Sequence, residues 1–227
     1  MNQNTSFESL QIKEMQIRNY SPRTIDTYCK LLCNLEKDIG KSLYEITTED
    51  FKAKLHFMIT QKGSSTSTIN QLISAFKIFY VDVCHRVWEE FHVKRPRKEK
   101  TLPIVLSLEE VGRMISVTNN LKHKAILMLT YSAGLRRMEV MQIKPKDIDS
   151  QRMQVRVVQG KGKKDRYSIL SQKTLDILRQ YYKVERPTTF LFEPTGNKGK
   201  ALSERSMEHI VKKSAKKAGI KKGVSFH

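Results

Sequence analysis

The sequence predicts a mainly α protein with a small β component, built as two domains, and three observations lead there. Apolar residues recur at a helical period through residues 1–92, a basic stretch over 93–104 holds almost nothing to bury, and between 152 and 170 the period drops to two. With 227 residues, 39% of them hydrophobic, the chain can furnish a core for each domain.

The first domain reads as four helices. A weaker one covers Ser6 to Tyr20, and Ser21-Pro22 then supplies an N-cap followed by proline at the first helical position, ahead of the face Ile25, Tyr28, Leu32 and Leu35. Thr47 with Asp50 three residues later opens a third helix carrying Phe51, Leu55, Met58 and Ile59. After the loop Ser64 to Ser67 comes the longest stripe: Ile69, Leu72, Ile73, Phe76, Phe79 and Val83. Its aromatic residues are expected in the core, not around a cofactor.

Between Lys94 and Lys100 stand five cations, Lys94, Arg95, Arg97, Lys98 and Lys100, around Pro96 and ahead of Pro103. This is a linker, either a solvated hinge or a basic connector suited to a protein that wraps a duplex.

In the second domain Ser107 caps a helix to Val117, with Glu109 and Glu110 in its first turn. An apolar run over Ala125 to Leu129, too short to span a membrane, predicts a buried helix that stops at Gly134, where a residue tolerant of positive φ is needed. A further helix starts at once. On its wheel Arg136, Glu139, Val140 and Ile143 share one face, so Arg136 is expected to point inward and Arg137 about 100° away, as a solvated charge or a phosphate contact. A guanidinium cannot shed its charge, so an inward Arg136 needs an anion: Glu139 one turn on, or a ligand phosphate.

Met153, Val155 and Val157 alternate with polar residues, and Tyr167 and Ile169 resume the alternation, which predicts a β-hairpin over 152–170. Its tip, Gly160 to Arg166, carries Lys161, Lys163, Lys164 and Arg166 with two glycines that let a lysine reach into a groove. Gln172 to Lys183 is an amphipathic helix with Leu175, Leu178 and Tyr182 inward, and Glu193 to Lys200 is a loop. Ser203 caps a last helix, closed by Gly219, that buries Met207, Ile210, Val211, Ser214 and Ala218 and displays Lys212, Lys213, Lys216 and Lys217 as a phosphate-tracking surface.

Lys and Arg total 42 against 23 Asp and Glu, a formal charge of +19, which points to a polyanionic partner and first to nucleic acid. No segment approaches the roughly 18 apolar residues of a spanning helix and no signal peptide opens the chain, so no membrane partner and a cytoplasmic location are expected. Cys29, Cys33 and Cys84 are odd in number, and the six histidines lack metal spacing, so no metal is expected.

Three motifs in order carry a resemblance. YSAGLRRMEVMQIKPKDID resembles the first arginine motif of the tyrosine recombinases, the phage integrase family with its Xer- and integron-integrase-like members. VVQGKGKKDRYSIL resembles their β-hairpin lysine segment, and VSFH the opening of their His-x-x-Arg box. The resemblance spans essentially the whole chain. It implies an N-terminal helical core-binding (SAM-like) DNA-binding domain over 1–92, a basic linker over 93–104, and a mixed α/β catalytic domain over 105–227, truncated at its C-terminus.

Carried over residue by residue, the resemblance makes Arg136 the catalytic arginine on the scissile phosphate, Lys161 the lysine that protonates the leaving 5′ oxygen, His227 an acid–base histidine and Glu139 the support of the arginine. The remaining candidate DNA contacts are Arg95, Arg97, Lys98, Arg137, Lys163, Lys164, Arg166, Lys212 and Lys213. The partner is double-stranded DNA and, in the intact family, a homotetramer on it. No cofactor is implied, because the family conserves bond energy in a phosphotyrosyl intermediate. The family's second arginine and nucleophilic tyrosine lie beyond the motif's histidine, and none of the eight tyrosines matches that position. The expectation is therefore a site-specific recombinase sequence that binds DNA but cleaves none as given, or alternatively a catalytically inactive DNA-binding remnant. A basic helical protein contacting RNA or acidic partners is the weaker reading, because stacking aromatics and RNP-like motifs are missing.

Overall fold

The computed structural model describes residues 7–97, 102, 104–158 and 164–226. The chain divides into two compact units, Met1–Thr101 and Leu102–His227.

The N-terminal unit contains α1 (Phe7–Ile17), α2 (Pro22–Ile39), α3 (Thr48–Thr60) and α4 (Thr66–Ile78), the last running into a π-helical turn, Phe79–Val83. Local chemistry sets the boundaries. Ser21 and Ser65 accept from the backbone N–H three residues on, Thr47 and Asp50 cap one another reciprocally, and Gly40 ends α2 at φ 73°. The inward stripe of α4 meets α3 through Phe51 and Phe76, stacked with centroids 4.5 Å apart, and Phe91 lies 5.2 Å from Phe76. Trp88 completes this aromatic core, stacked on Phe91 at 5.4 Å. Ile59, expected on the inner face of α3, is instead 48% exposed; Phe51, Leu55 and Met58 already fill the one stripe the helix can bury.

The C-terminal unit is organised around α6 (Leu121–Ala133), on which Ala125, Ile126 and Leu129 are fully buried. It packs on α5 (Leu108–Ser116), α7 (Arg137–Gln142), α8 (Gln172–Glu185) and the third strand of a small sheet. At its end Gly134 takes φ 57° and its N–H closes on the Thr130 carbonyl. The turn demanded there is thus met by the residue that tolerates it. The last helix, α9 (Glu204–Lys217), packs on α5 and α7.

The sheet has three antiparallel strands in the order β1 (Ile148–Asp149), β2 (Gln154–Val157) and β3 (Arg166–Ile169), so a short strand precedes the expected hairpin. Its register corrects the phase of β3. Val155 pairs with Ser168 and Val157 with Arg166, and directly opposed residues share a face. Because Val155 and Val157 are buried, Arg166 and Ser168 turn inward, while Tyr167 and Ile169 are 65% and 74% exposed. Ser168 donates to the Ala133 carbonyl at 2.6 Å, tying the strand to the end of α6.

On α8 the inward aromatic is Tyr181, fully buried and packed on Phe192, whereas Tyr182 is exposed. Tyr181 continues the face of Thr174 and Leu178, with spacings of four and three, and Tyr182 falls off it.

Candidate nucleic-acid interface

Two adjacent arginines take opposite places from those the helical wheel suggests. Arg136 lies outside the helix, as the N-cap of α7 in extended conformation (φ −75°, ψ 155°), so the wheel does not apply to it. Its side chain is 57% exposed. Arg137 is the more enclosed, 21% exposed, and donates to Glu208 and Glu204 of α9 at 2.7 Å each. It pins α9 to the start of α7, and the two acids at i and i+4 on an otherwise cationic helix are the sequence signal that could have found it.

Glu139 is the hub of the site. Its carboxylate is 5% exposed, and each oxygen accepts one bond from each of two arginines. Oε2 takes the Arg136 backbone N–H at 2.8 Å and Arg166 Nη2 at 2.8 Å; Oε1 takes Arg136 Nη1 at 3.2 Å and Arg166 Nη1 at 2.6 Å. The Arg166 fork is bidentate, the strong form of this contact. Hydrogen bonding from Arg166, with the Arg136 N–H behind it, outweighs burial and holds the Glu139 carboxyl at about 2. The same pairing raises the Arg166 guanidinium above its ordinary value. The carboxylate is therefore a fixed negative charge at any physiological pH.

The two arginines spend their donors differently. Arg166 gives both terminal nitrogens to Glu139, whereas Arg136 gives one side-chain N–H, and its remaining donors have no partner among the described residues. Arg136 is thus held by a buried anion and half exposed, with N–H groups that meet no other described residue. That is the arrangement a phosphate oxygen needs.

Of the other expected contacts, Lys164, Lys212, Lys213 and Arg97 are exposed. Arg95 in the N-terminal unit donates to the Asn70 carbonyl at 3.1 Å and to Ser74 at 2.9 Å, so its own side chain is docked on α4. Lys98, Lys161, Lys163 and His227 lie outside the described residues. Among the described residues, no group of three or more His, Cys, Asp or Glu could hold a metal ion, and no helix is long and apolar enough to cross a membrane.

The fold, helical in its N-terminal unit and with a small three-stranded sheet in its C-terminal unit, matches that of solved site-specific recombinases. Residues 105–227 match the phage integrase family, and residues 9–90 match its N-terminal SAM-like domain. The chain belongs to the phage integrase family. It is 37% identical over 216 residues to a protein of Sinorhizobium fredii named as a putative integrase/recombinase, y4qK, an alignment covering 95% of this chain and 70% of that one. It is 33% identical over 212 residues to the tyrosine recombinase XerA of Pyrococcus horikoshii, covering 91% of this chain and 71% of that one. Among solved structures, XerH recombinase bound to its difH substrate shares the fold, with a TM-score of 0.71 at 19% identity over 99% of this chain and 72% of that chain.

Proposed function

We propose that this chain binds duplex DNA as a tyrosine recombinase does, placing Arg136 on a backbone phosphate. The observation that carries the reading is the exposed Arg136 guanidinium, anchored through one N–H and its own backbone to the buried Glu139. In a phosphoryl transfer, charge grows on the non-bridging oxygens, and a preorganised cationic donor there is worth on the order of 3 kcal/mol. By the family resemblance, Lys161 delivers a proton to the leaving 5′ oxygen and His227 assists. Lys164, Lys212, Lys213 and Arg97, with Lys98 and Lys163, supply sequence-independent phosphate contacts, in keeping with the net charge of +19.

Strand cleavage needs a nucleophilic tyrosine. Tyr131, Tyr167, Tyr181 and Tyr182 all precede the VSFH motif, and Tyr20, Tyr28, Tyr44 and Tyr80 belong to the N-terminal unit. By the family resemblance, the residues given supply DNA binding and phosphate activation, and none of these eight tyrosines is read as the nucleophile. Relatives named as recombinases, a structural neighbour bound to its DNA substrate, and lambda integrase solved as a tetramer on a Holliday junction support the reading, the tetramer being what the resemblance implies for the intact family.

The test is a nicked suicide duplex incubated with the 227-residue chain, read as retention on native gels at increasing salt and as covalent adduct on denaturing gels. The expected result is binding that weakens steeply with salt, about 0.9 in log–log slope per phosphate contacted, with no adduct. Binding that is absent or indifferent to salt overturns the DNA reading. A covalent adduct overturns the assignment of a missing nucleophile.

A further inference from the structure

Arg137 follows Arg136 in the sequence, and its charge alone would make it a second phosphate contact. Its geometry says otherwise. Nη1 donates to Glu208 and Nη2 to Glu204, each at 2.7 Å, so both terminal nitrogens are engaged with α9. The buried Nε has no acceptor among the described residues, which leaves the two carboxylates as what holds the guanidinium. These acids stand on a helix that otherwise displays Lys212, Lys213, Lys216 and Lys217, where they weaken its attraction for a polyanion. Glu204, Glu208 and Lys212 are spaced four residues apart and run along one side of α9. By gripping the first two, Arg137 sets where the exposed Lys212 stands relative to Arg136.

We propose that Arg137 is a positioning residue: by clamping Glu204 and Glu208 it registers α9 against the N-cap of α7, so that Arg136 and Lys212 reach the backbone of one duplex together. The inference rests on the function proposed above. Its physical basis is the fork. Met207, Ile210 and Val211 already bury the apolar face of α9, but apolar packing is non-directional and tolerates a small slide or turn of the helix. Two N–H groups of one rigid plane, each on its own carboxylate, fix distance and orientation, which a lysine, with one point charge on a flexible stem, does not.

The experiment follows duplex binding against salt for the wild-type chain and for Glu204→Gln combined with Glu208→Gln, each with and without Arg136→Ala. In the double variant charge and position pull in opposite directions. It removes two acids and frees Arg137, so a purely electrostatic role gives tighter binding and a steeper salt slope. Registration gives weaker binding and a shallower slope. In the wild type Arg136→Ala lowers the slope by about 0.9; in the double variant it lowers it by almost nothing, because the released α9 and Arg136 no longer meet the duplex together. Arg137→Lys, which keeps the charge without the fork, falls between the two. Partial unfolding would reduce affinity while leaving the effect of Arg136→Ala on the slope intact.

The proposal is overturned if the double variant binds more tightly with a steeper slope, or if Arg136→Ala changes the slope equally with and without the clamp. Failure of the wild type to bind, or a wild-type slope indifferent to Arg136→Ala, would sink the DNA reading itself. Amide exchange of the free chain then judges the clamp alone: the double variant must raise exchange in α9 and α7 together while α8 stays protected, and an unchanged α7 contradicts it. Exchange that rises in α8 as well marks general unfolding, and the same comparison is then decided on Arg137→Lys.

Discussion

The two units of this molecule treat buried polarity in opposite ways. In the N-terminal unit, Gln11 is the buried polar side chain among the described residues, and the core is a cluster of Phe51, Phe76, Phe79 and Phe91 with Trp88 and Tyr80 against it. The C-terminal unit buries Thr118, Lys122, Glu139, Asp147, Thr174, Glu193 and Ser214. Burying a charge is costly unless it is fully bonded, so a fold that does so repeatedly is held by directional bonds where an apolar one is held by shape.

Within the C-terminal unit the partners divide the buried carboxylates by task. Glu193 accepts from the backbone N–H groups of Thr188, Thr189 and Phe190, so it shapes a loop. Glu139 accepts from two arginines, one of them exposed, so it arms a surface. The first needs only its own neighbourhood; the second draws a helix start and a distant strand together.

That comparison can be strained at its ends. The largest effect is expected from Phe76→Ala, which opens a cavity in the aromatic core and costs about 3–5 kcal/mol. Trp88, the single tryptophan, stands in that core, so its fluorescence reports the N-terminal unit's unfolding directly. A destabilisation below about 1 kcal/mol would mean that this core is not held by packing.

Glu139→Gln attacks the polar unit at its hub. The orphaned arginines are partly exposed and can hydrate, so the cost falls at the lower end of a broken buried pair, about 3 kcal/mol. Its sign with pH follows from linkage. The folded-state pKa of Glu139, about 2, lies below the unfolded value near 4.5, so its stabilisation is complete above pH 4.5 and is lost as pH falls towards 2. Acid titration of the C-terminal unit's stability should show this drop in the wild type and a smaller one in Glu139→Gln. Identical acid profiles would contradict the role of the carboxylate.

Gly134→Ala gives the smallest expected change. No atom lies within 4 Å of the added Cβ, so the cost is that of holding a non-glycine residue at φ 57°, about 1–2 kcal/mol in thermal unfolding. A neutral result would show that the turn closing α6 relaxes to take a side chain.

How much of this is legible in the sequence follows the range of each interaction. The caps at Ser21, Thr47 and Ser107, the stop at Gly134 and the inward stripe of α4 depend on residues three or four apart, and pattern reading finds them. Glu139 beside Arg136 is visible for the same reason. Arg166 on Glu139 and Arg137 on Glu204 and Glu208 span 27, 67 and 71 residues, beyond any local period. The inward turn of Arg166 is hidden by Tyr167 and Ile169, whose apolar character suggests the buried face, until the register with Val157 fixes the phase. The wheel misplaces Arg136 and Arg137 because it starts one residue early, on the cap, where the backbone is not yet helical.

The central claim is that the exposed arginine held by Glu139 meets a DNA phosphate. Salt titration of duplex binding by wild type and Arg136→Ala tests it most directly. The account predicts weaker binding with a log–log slope shallower by about 0.9, as for a protein that neutralises one phosphate fewer. An unchanged slope and affinity would show that Arg136 serves only its pair with Glu139, and the claim would fall.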